Sequence, residues 1–261
     1  MKKQDLSIKT GDIFKLGEHR LLCGDALEVD QIKKFLKGKK IQLILTDPPY
    51  GVSYVKSKNA IGRKPCVSRK IKNDAIDTPQ EYQNFTKKWL EAAVPYLKRK
   101  NAYYIFNSDK MIFSLHDGLI GAGFKFGQLL IWIKSQPVIG RKDYLPQHEL
   151  IAYGWYGVHK FMKSKDKSLL FHPKPAKSKL HPTMKPVSLL RRLILNSTEI
   201  GEAVYDPFGG SGSTLIACEH TERSCLMVEM DPAYCATIIK RWEKLTGAKA
   251  EKLKEVTNDK R

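Results

Sequence analysis

An acid, two prolines and a tyrosine directly follow an apolar segment early in the chain. The apolar residues are 41–45 (IQLIL), and TDPPY at 46–50 continues them. Each proline fixes its φ angle and lacks a backbone N–H, so this segment can neither extend a central strand nor enter a helix interior. By itself the motif predicts a tight turn that ends a buried strand. Such a turn also holds two hydrogen-bond acceptors, the Asp47 carboxylate and the Pro48 carbonyl oxygen, at fixed positions beside an aromatic ring.

A glycine-rich turn follows a second strand-like segment, at 205–219 (YDPFGGSGSTLIACE). Glycine lets a ligand approach the backbone closely, and the start of the next helix favours an anionic group. The dinucleotide fingerprint requires Gly or Ala three residues after Gly212, where this chain has Leu215, and the Gly-Lys-Ser/Thr of a phosphate-binding loop does not follow. Glu229 ends the next strand, where an acid accepts hydrogen bonds from ribose hydroxyls. An adenosyl ligand with a small zwitterionic tail and no phosphate fits these residues better than NAD.

Strand-like segments alternate with helical ones along most of the chain. We predict strands at 19–26, 41–47, 101–108, 127–135, 148–155, 202–208 and 224–231, and helices at 79–98, 110–121, 186–198, 212–221 and 232–246. This alternation is typical of an α/β fold with a doubly wound, mostly parallel sheet, here of seven strands, and helices on both faces. No internal repeat is visible, so we predict a single domain over 1–261, in which 156–180 is a small insertion.

The helix predicted at 79–98 has the best-defined start and face. Thr78 and Glu81 form a capping box around Pro79. The apolar side chains at helical spacing are Tyr82, Phe85, Trp89, Ala93 and Tyr96. We interpret this aromatic stripe as a core-facing surface rather than a platform for a ligand.

The charge balance indicates a polyanionic partner. The 261 residues include 46 Lys and Arg against 27 Asp and Glu, a formal net charge of +19. Nucleic acid is the first candidate partner and a membrane surface the second. The segment 56–72 carries seven basic residues and no acid, and 160–179 carries seven against the single Asp166. Both lack periodicity, and we interpret them as loops that are either solvated or grip phosphates.

The absence of long apolar segments and the cysteine content indicate the cellular compartment of the protein. No apolar run approaches the about 20 residues that span a bilayer, and the first residues do not form a signal peptide. We therefore expect a cytoplasmic protein without a membrane partner. The five cysteines are an odd number without C-x-x-C spacing, which favours reduced thiols over disulfides, and we predict no metal site.

Three motifs occur together in a characteristic order: TDPPYG at 46–51, DPFGGSG at 206–212 and EMDPAYC at 229–235. In these motifs the chain resembles the amino DNA methyltransferases that use S-adenosylmethionine (SAM). Their order resembles the β class of that family, in which the Rossmann-like sheet is circularly permuted. Further segments match the family's pattern: HRLLCGDAL at 19–27, IWIKSQPVIGRKDYLPQHELIAYGW at 131–155 and HPTMKPVSLL at 181–190. The resemblance covers nearly all of 18–247.

The resemblance implies SAM as the cofactor and a role for each matching residue. Asp25 with Ala26 would meet the adenine ring, and Glu229 would hold the ribose. The turn itself would supply Asp206, Phe208, Gly210 and Gly212. The residues expected to close over the methionine end are His181, Thr183 and Lys185. Met184 stands where the family more often has Gln.

The catalytic residues implied by the resemblance are Asp47, Pro48, Pro49 and Tyr50. An exocyclic amine of a base is a poor nucleophile because its lone pair is delocalised into the ring. Acceptors aimed at its two N–H bonds favour the sp³-like nitrogen of the transition state. The Asp47 carboxylate and the Pro48 carbonyl would be these acceptors, and Tyr50 would stack on a base flipped from the duplex.

Double-stranded DNA is the partner implied by the family and by the charge. The basic loop 56–72 leaves the catalytic turn, and a second loop joins two predicted strands. The DNA contacts predicted in these loops are Lys56, Lys58, Arg63, Lys64, Arg69, Lys70, Arg141, Lys142 and Tyr144. The segments 56–72 and 156–180 are the candidates for target recognition. A homodimer and a cognate restriction endonuclease are partners that the sequence leaves open.

We expect N6-adenine as the target because Asp47 stands first in the tetrapeptide, where cytosine-N4 enzymes more often carry Ser. N4-cytosine methylation is the main alternative. RNA or protein-amide methylation is another, although the permuted order and the basic loops argue against it. A DNA-binding protein with an inactive SAM fold is the last alternative, and the intact motif residues argue against that.

Overall fold

A mixed β-sheet forms the centre of the molecule. The computed structural model describes residues 7–49, 76, 78–139, 143–163, 165–173 and 184–253. The strands are β1 (Ile13–Leu16), β2 (His19–Cys23), β3 (Ile41–Thr46), β4 (Leu97–Asn107), β5 (Phe124–Ile133), β6 (His148–Tyr156), β7 (Val158–His159), β8 (Leu169–Phe171), β9 (Ala203–Asp206), β10 (Ser224–Glu229) and β11 (Glu251–Leu253). Their order in the sheet is β11-β1-β2-β10-β9-β3-β4-β6-β5-β8, and the short β7 pairs with β4.

Seven neighbouring strands of this sheet are the seven predicted from the sequence. β2, β10, β9, β3 and β4 run parallel. β6 lies antiparallel between β4 and β5. The prediction of an α/β fold with a mostly parallel sheet is therefore confirmed. The short strands β1, β11, β7 and β8 were missed, because segments of two to four residues are too short for alternation to be recognised.

Helices cover both faces of the sheet. They are α1 (Val29–Leu36), α2 (Pro79–Ala93), α3 (Ile112–Gly121), α4 (Val187–Ser197), α5 (Ser213–Glu219) and α6 (Pro232–Thr246). The eight-residue α1 was not predicted, and it buries only Ile32, Phe35 and Leu36. Of the helices in the described ranges, none is long and apolar enough to cross a membrane.

Helix α2 begins as its capping box predicts. The Thr78 hydroxyl accepts a hydrogen bond from the Glu81 N–H at 3.2 Å, and the Glu81 carboxylate accepts one from the Thr78 N–H at 3.1 Å. The helix is shorter than the predicted 79–98. It ends at Ala93 and continues as a 3₁₀ turn, Val94–Tyr96, whose Pro95 cannot donate the next helical hydrogen bond.

The aromatic stripe of α2 packs into the core, as predicted. Tyr82 and Trp89 are fully buried. They share a cluster with β-strand side chains such as Ile44 and with residues of α1 and α3. The opposite face of the sheet packs against α4, α5 and α6. Two such layers are what a sheet with apolar side chains on both faces requires.

The sheet reverses its winding between β9 and β3. These strands are parallel neighbours, with Ile44 opposite Tyr205. From β9 the chain continues to β10 on one side, and from β3 it continues to β4 on the other. In open α/β sheets, ligands bind at the carboxyl ends of the strands at such a switch point. Asp206 is the last residue of β9, and Asp47 directly follows β3.

Candidate active site

A buried hydrogen bond joins the two turns that the sequence singles out. The Thr46 hydroxyl donates to Oδ1 of Asp206 at 2.7 Å. Both side chains are buried. Because Thr46 immediately precedes Asp47, this bond sets the catalytic turn at a fixed distance from the glycine-rich turn. No role was predicted for Thr46, whose only signal in the sequence is its position directly before Asp47.

The glycine-rich turn is held by backbone geometry and by supporting side chains. Gly210 and Gly212 have φ angles of +52° and +81°, which side chains with a Cβ rarely adopt. A Cβ on Gly212 would also lie 3.0 Å from the Ile238 side chain. The Arg241 guanidinium donates to the carbonyl and to the hydroxyl of Ser211. The turn is therefore built before any ligand binds.

Glu229 faces this turn from the end of β10. Its Oε2 accepts the Gly210 N–H at 2.7 Å and its Oε1 accepts the Asp231 N–H at 2.8 Å. Burial raises the pKa of Glu229 to about 7, although these two backbone bonds lower it. Each carboxylate oxygen keeps a further lone pair. Glu229 therefore has the acceptor capacity that a ribose diol requires.

Asp206 is a second buried acid beneath the same turn. It accepts hydrogen bonds from the Thr46 hydroxyl and from the Phe208 N–H, the latter at 3.1 Å. Burial raises the pKa of Asp206 to about 6, and hydrogen bonds from Thr214 and Thr46 oppose the rise. Two carboxyls with raised pKa values at one sheet edge mark a functional site more often than a structural one.

The predicted adenine contacts lie beside Glu229. The Gly24 N–H donates to the Glu229 carbonyl at 2.9 Å, and Asp25 and Ala26 follow directly. The Asp25 carboxylate accepts the Leu27 N–H at 2.9 Å, which fixes the turn. Seven predicted cofactor residues are thus brought to one edge: Asp25, Ala26, Asp206, Phe208, Gly210, Gly212 and Glu229. His181 and Thr183 lie outside the described residues.

The Phe208 ring is held by helix α2. Its centroid lies 5.5 Å from that of Phe85 and 5.7 Å from that of Trp89, the latter in an edge-to-face contact. Such aromatic pairs stabilise a defined ring orientation. The core stripe of α2 thereby positions a residue of the cofactor turn.

A cluster of two acids and two lysines surrounds the catalytic turn. Lys185 Nζ lies 2.6 Å from Oδ2 of Asp47 and 2.9 Å from Oε2 of Glu149. Lys134 Nζ lies 2.8 Å from Oε1 of Glu149. The four charges balance, which makes their burial tolerable. Lys185 was predicted, from the resemblance, to contact the methionine end of the cofactor, whereas no role was predicted for Lys134 or Glu149.

The lysines of this cluster rest on aromatic rings. Lys185 Nζ lies 5.0 Å from the centre of the Phe106 ring, and Lys134 Nζ lies 5.3 Å from that of Trp132. The two rings meet edge to face at 6.4 Å. Cation–π contacts stabilise ammonium groups that are withdrawn from water. The two rings therefore stabilise the ammonium groups of Lys185 and Lys134 at their positions in the cluster.

The two acids of the cluster respond differently to their surroundings. Burial raises the pKa of Asp47, Lys185 lowers it and Glu149 raises it further, so that the pKa lies above the usual value. Burial also raises the pKa of Glu149, but Lys185 and Lys134 outweigh this and hold it below the usual value. Within the part of the chain that the structure describes, Oδ1 of Asp47 is buried and has no hydrogen-bond partner. This oxygen is an acceptor ready for an N–H donor.

The remaining predicted site residues divide by location. Pro48 is buried and Pro49 is half-buried, directly after Asp47. Tyr144 is 91% exposed in the loop between β5 and β6. The other predicted catalytic and DNA-contacting residues lie outside the described residues: Tyr50, Lys56, Lys58, Arg63, Lys64, Arg69, Lys70, Arg141 and Lys142. Among the described side chains, no group of three or more His, Cys, Asp and Glu could hold a metal ion.

The sequence pattern of the N6/N4 DNA methylase family, described as "DNA methylase", matches residues 41–241. This match spans both turns, the four-charge cluster and Glu229. The chain belongs to the N6/N4 DNA methylase family. The resemblance seen in the motifs is thereby confirmed.

Two curated relatives of this DNA methylase cover most of its length. It is 27% identical over 244 residues to the Type II methyltransferase M.HpaI of Haemophilus parainfluenzae, which covers 83% of this chain and 72% of that protein. It is 28% identical over 227 residues to the Type II methyltransferase M2.DpnII of Streptococcus pneumoniae, and this match covers 80% of this chain and 84% of that protein.

Two solved structures share the fold of the methylase. The M1.HpyAVI–SAM complex is 26% identical and covers 85% of this chain and 98% of its own, with a TM-score of 0.62. The cytosine-N4-specific PvuII DNA methyltransferase is 20% identical, with a TM-score of 0.65. The match covers 87% of this chain and 89% of that protein. The second likeness concerns the fold alone.

Proposed function

We propose that this DNA methylase moves a methyl group from SAM to the exocyclic N6 of an adenine flipped out of duplex DNA. One observation carries the proposal: Asp47 is held at the switch point with a buried acceptor oxygen that has no hydrogen-bond partner among the described residues. The hydrogen bond between Thr46 and Asp206 ties this oxygen to the glycine-rich turn. A methyl donor in that turn and an amine at Asp47 would be neighbours.

The residues at the carboxyl edge of the sheet fit SAM. Glu229 retains acceptor capacity for two ribose hydroxyls, and the turn at Gly210 and Gly212 accommodates close approach of a ligand. The buried carboxyl of Asp206 suits the positive charge of a sulfonium. When bound, SAM supplies an activated methyl group. The M1.HpyAVI–SAM complex, a structural relative at 26% identity, supports the assignment.

In the proposed reaction, Asp47 works by position and charge. Lys185 binds its Oδ2 at 2.6 Å and fixes the carboxylate, so that Oδ1 is left to accept one N–H of the target amine. The carbonyl oxygen of Pro48 accepts the other N–H, and two consecutive prolines fix where that oxygen points. Both acceptors favour the sp³-like nitrogen as the N–C bond forms and the methyl–sulfur bond of the donor breaks, which would leave a neutral thioether. The methylated amine then loses its extra proton to solvent.

The choice of adenine rests on Asp47 as the first residue of the tetrapeptide. Cytosine-N4 enzymes more often carry Ser at that position, which is the distinction drawn from the sequence. The proposal also takes duplex DNA as the substrate because of the net charge of +19 and the basic segment 56–72. Both curated relatives are named Type II methyltransferases, which supports proposing a role in a restriction-modification system within the cytoplasm.

A methyl-transfer assay with an Asp47→Ala variant tests the role of this turn. We expect transfer of labelled methyl from SAM to unmethylated duplex DNA to be lost, because the variant lacks the acceptor at the amine. The Asp117→Ala variant is the matched control, since Asp117 is an exposed acid of α3 paired with His116. Binding of SAM by the Asp47→Ala protein checks its fold. Retained transfer in that protein would refute the assignment.

A further inference from the structure

A cavity lies on the sheet away from the cluster formed by Asp47, Glu149, Lys134 and Lys185. It measures about 260 Å³ and is bounded by β4, β5, β6, α4 and the segments 159–161 and 165–170. Its floor includes Tyr104 and Tyr153, which are paired across β4 and β6. The next pair on the same face of the sheet, toward the carboxyl end of β4, is Phe106 with Ile151. Since the Phe106 ring lies beneath Lys185, this buried pair separates the cavity from the active site.

Five side chains with aromatic rings line this cavity: Tyr104, Tyr153, Trp155, His159 and Phe161. Tyr104 and Tyr153 stack at 4.9 Å between centroids. His159 and Phe161 lie nearly parallel, with an interplanar angle of 9° at 6.2 Å. Trp155 lies 4.5 Å from His159. Several ring faces directed at one space provide stacking surfaces for a flat ligand.

A buried amide lines the same cavity with an unused acceptor. Asn196 is only 3% exposed, and its Nδ2 donates to Oδ2 of Asp166 at 2.6 Å. Among the described residues, its Oδ1 has no hydrogen-bond partner. An unsatisfied buried acceptor costs free energy that a ligand N–H would recover. A ligand whose N–H contacts this oxygen, which the free protein shields from solvent, would therefore gain free energy.

The mouth of the cavity is basic. Lys165 and Lys167 line it and are exposed to solvent. The intervening Asp166 is engaged by the Arg192 guanidinium and by Asn196, so its charge is already compensated. Arg192 holds the pKa of Asp166 well below its usual value. An anionic group at the mouth would therefore meet uncompensated lysines.

We propose that this cavity binds a nucleobase, with its ring against the aromatic wall, an N–H donated to Asn196 Oδ1 and its phosphate near Lys165 and Lys167. A purine satisfies all three features of the cavity at once, whereas an apolar ligand would leave the amide unpaired. The base comes either from a free nucleotide or from an unpaired position in DNA. This site is separate from the catalytic cluster and does not depend on the proposed methyl transfer.

Calorimetric titration of the full chain with AMP tests the site. The titration contains saturating S-adenosylhomocysteine, so that the adenosyl site at Glu229 is blocked. We expect saturable binding, weakened at least about fivefold by Phe161→Ala and by His159→Ala, because each removes a stacking surface. Phe113→Ala is the matched control, since Phe113 is 79% exposed on α3, outside the cavity. Absence of saturable binding, or an unchanged Kd in both cavity variants, would overturn the proposal.

A second titration tests the amide. Purine riboside 5′-monophosphate has the same ring system and phosphate as AMP but no N–H on the base. We expect it to bind more weakly than AMP to the unaltered protein, and as tightly as AMP to the Asn196→Leu variant, which lacks the acceptor oxygen. Equal affinity of the two nucleotides for the unaltered protein would contradict the acceptor role of Asn196.

Two DNA duplexes identify the source of the base. One has a single unpaired adenine, and the other has the same sequence fully paired. If Phe161→Ala selectively weakens binding of the duplex with the unpaired adenine, the ligand is a base of DNA. If the change weakens binding of AMP alone, the ligand is a free nucleotide. Either result supports the nucleobase site, and loss of neither interaction would overturn it.

Discussion

Lys185 is the residue that connects the catalytic turn to the rest of the site. It contacts the carboxylates of Asp47 and Glu149, and its ammonium lies over Phe106. Two roles are therefore distinguishable for it. As a neighbour of Asp47 it keeps that acid ionised and oriented, whereas the family resemblance implies a contact with the methionine end of the cofactor.

The variant Lys185→Ala separates these roles. Removing the ammonium eliminates the charge that lowers the pKa of Asp47, so that the acidic limb of the kcat–pH profile shifts to higher pH. We expect kcat at neutral pH to fall at least about tenfold, which corresponds to roughly 1.4 kcal/mol in the barrier. Steady-state kinetics as a function of pH measures both kcat and the position of the acidic limb.

Lys134→Ala is the matched control for this prediction. Lys134 pairs with Glu149 and not with Asp47, so we expect its removal to shift the acidic limb of the kcat–pH profile less than the removal of Lys185 does. A raised KM for SAM together with an unmoved acidic limb in Lys185→Ala would contradict the role at Asp47 and favour the cofactor contact.

We expect Glu229 to make SAM binding dependent on pH. Its pKa lies near 7 because of burial, so that its carboxylate fraction decreases as the pH falls from 8 to 6. Ribose hydroxyls donate to the ionised form, and the affinity for SAM should therefore fall with it, approaching about tenfold per pH unit below the pKa. Asp206, with a pKa of about 6, contributes mainly at lower pH.

Equilibrium binding of SAM at pH 8, 7 and 6 measures this dependence. In Glu229→Gln, we expect weaker binding that no longer varies between pH 8 and pH 7 and varies only slightly down to pH 6, where Asp206 begins to titrate. The variant Glu222→Gln, which changes an exposed acid in the turn before β10, should retain the full dependence. An unchanged slope in Glu229→Gln would show that another group titrates.

At the scale of elements, the packing of α3 on α2 has a specific tight point. A Cβ on Gly118 would lie 2.7 Å from Cβ of Thr86 and 2.9 Å from the Gln83 carbonyl oxygen. A Cβ on Gly121, in the same helix, would meet only the flexible Lys87 side chain at 3.8 Å. The two glycines therefore provide a matched pair.

We expect Gly118→Ala to lower the free energy of unfolding by about 1–3 kcal/mol, because the helices must separate or the Thr86 side chain must shift. Gly121→Ala should be neutral or stabilising by up to about 1 kcal/mol, since alanine favours the helix. Urea denaturation of both variants measures the difference. Equal stability of the two proteins would show that α2 and α3 are loosely packed.

The elements that carry local motifs could be predicted from the sequence. The capping box marks the start of α2, and each turn is marked by prolines or glycines beside an apolar strand. Lys134 and Glu149 could not be predicted, because they are brought together only by the antiparallel register of β5 and β6. Their local sequence carries no sign of a shared partner, and the same holds for the pairing of Lys185 with Asp47, 138 residues away.

At the scale of the whole molecule, the charge of +19 is concentrated in part in the segment 56–72. This segment follows the catalytic turn, which lies at the carboxyl edge of the sheet. We therefore expect DNA to bind at that edge of the sheet. Lys37, Lys39 and Lys40 are exposed just before β3, at the opposite edge, and should not contact it.

Salt dependence of DNA binding tests this orientation. Replacing Lys56, Lys58, Arg63, Lys64, Arg69 and Lys70 with alanine should weaken binding to all sequences and reduce the salt slope by about 0.9 per lost phosphate contact. The triple variant of Lys37, Lys39 and Lys40 should change the slope little. Fluorescence anisotropy at several salt concentrations gives both slopes, and equal slopes for the unaltered and the first variant would exclude a clamp in this segment.

The identity of the methylated base tests the central claim most directly. Unmethylated duplex DNA is incubated with the protein and SAM and digested to nucleosides, and the products are separated and weighed by mass spectrometry. We predict N6-methyldeoxyadenosine, and none of it with the Asp47→Ala protein. N4-methyldeoxycytidine as the product, or no methylated nucleoside from a protein that binds SAM, would contradict the account.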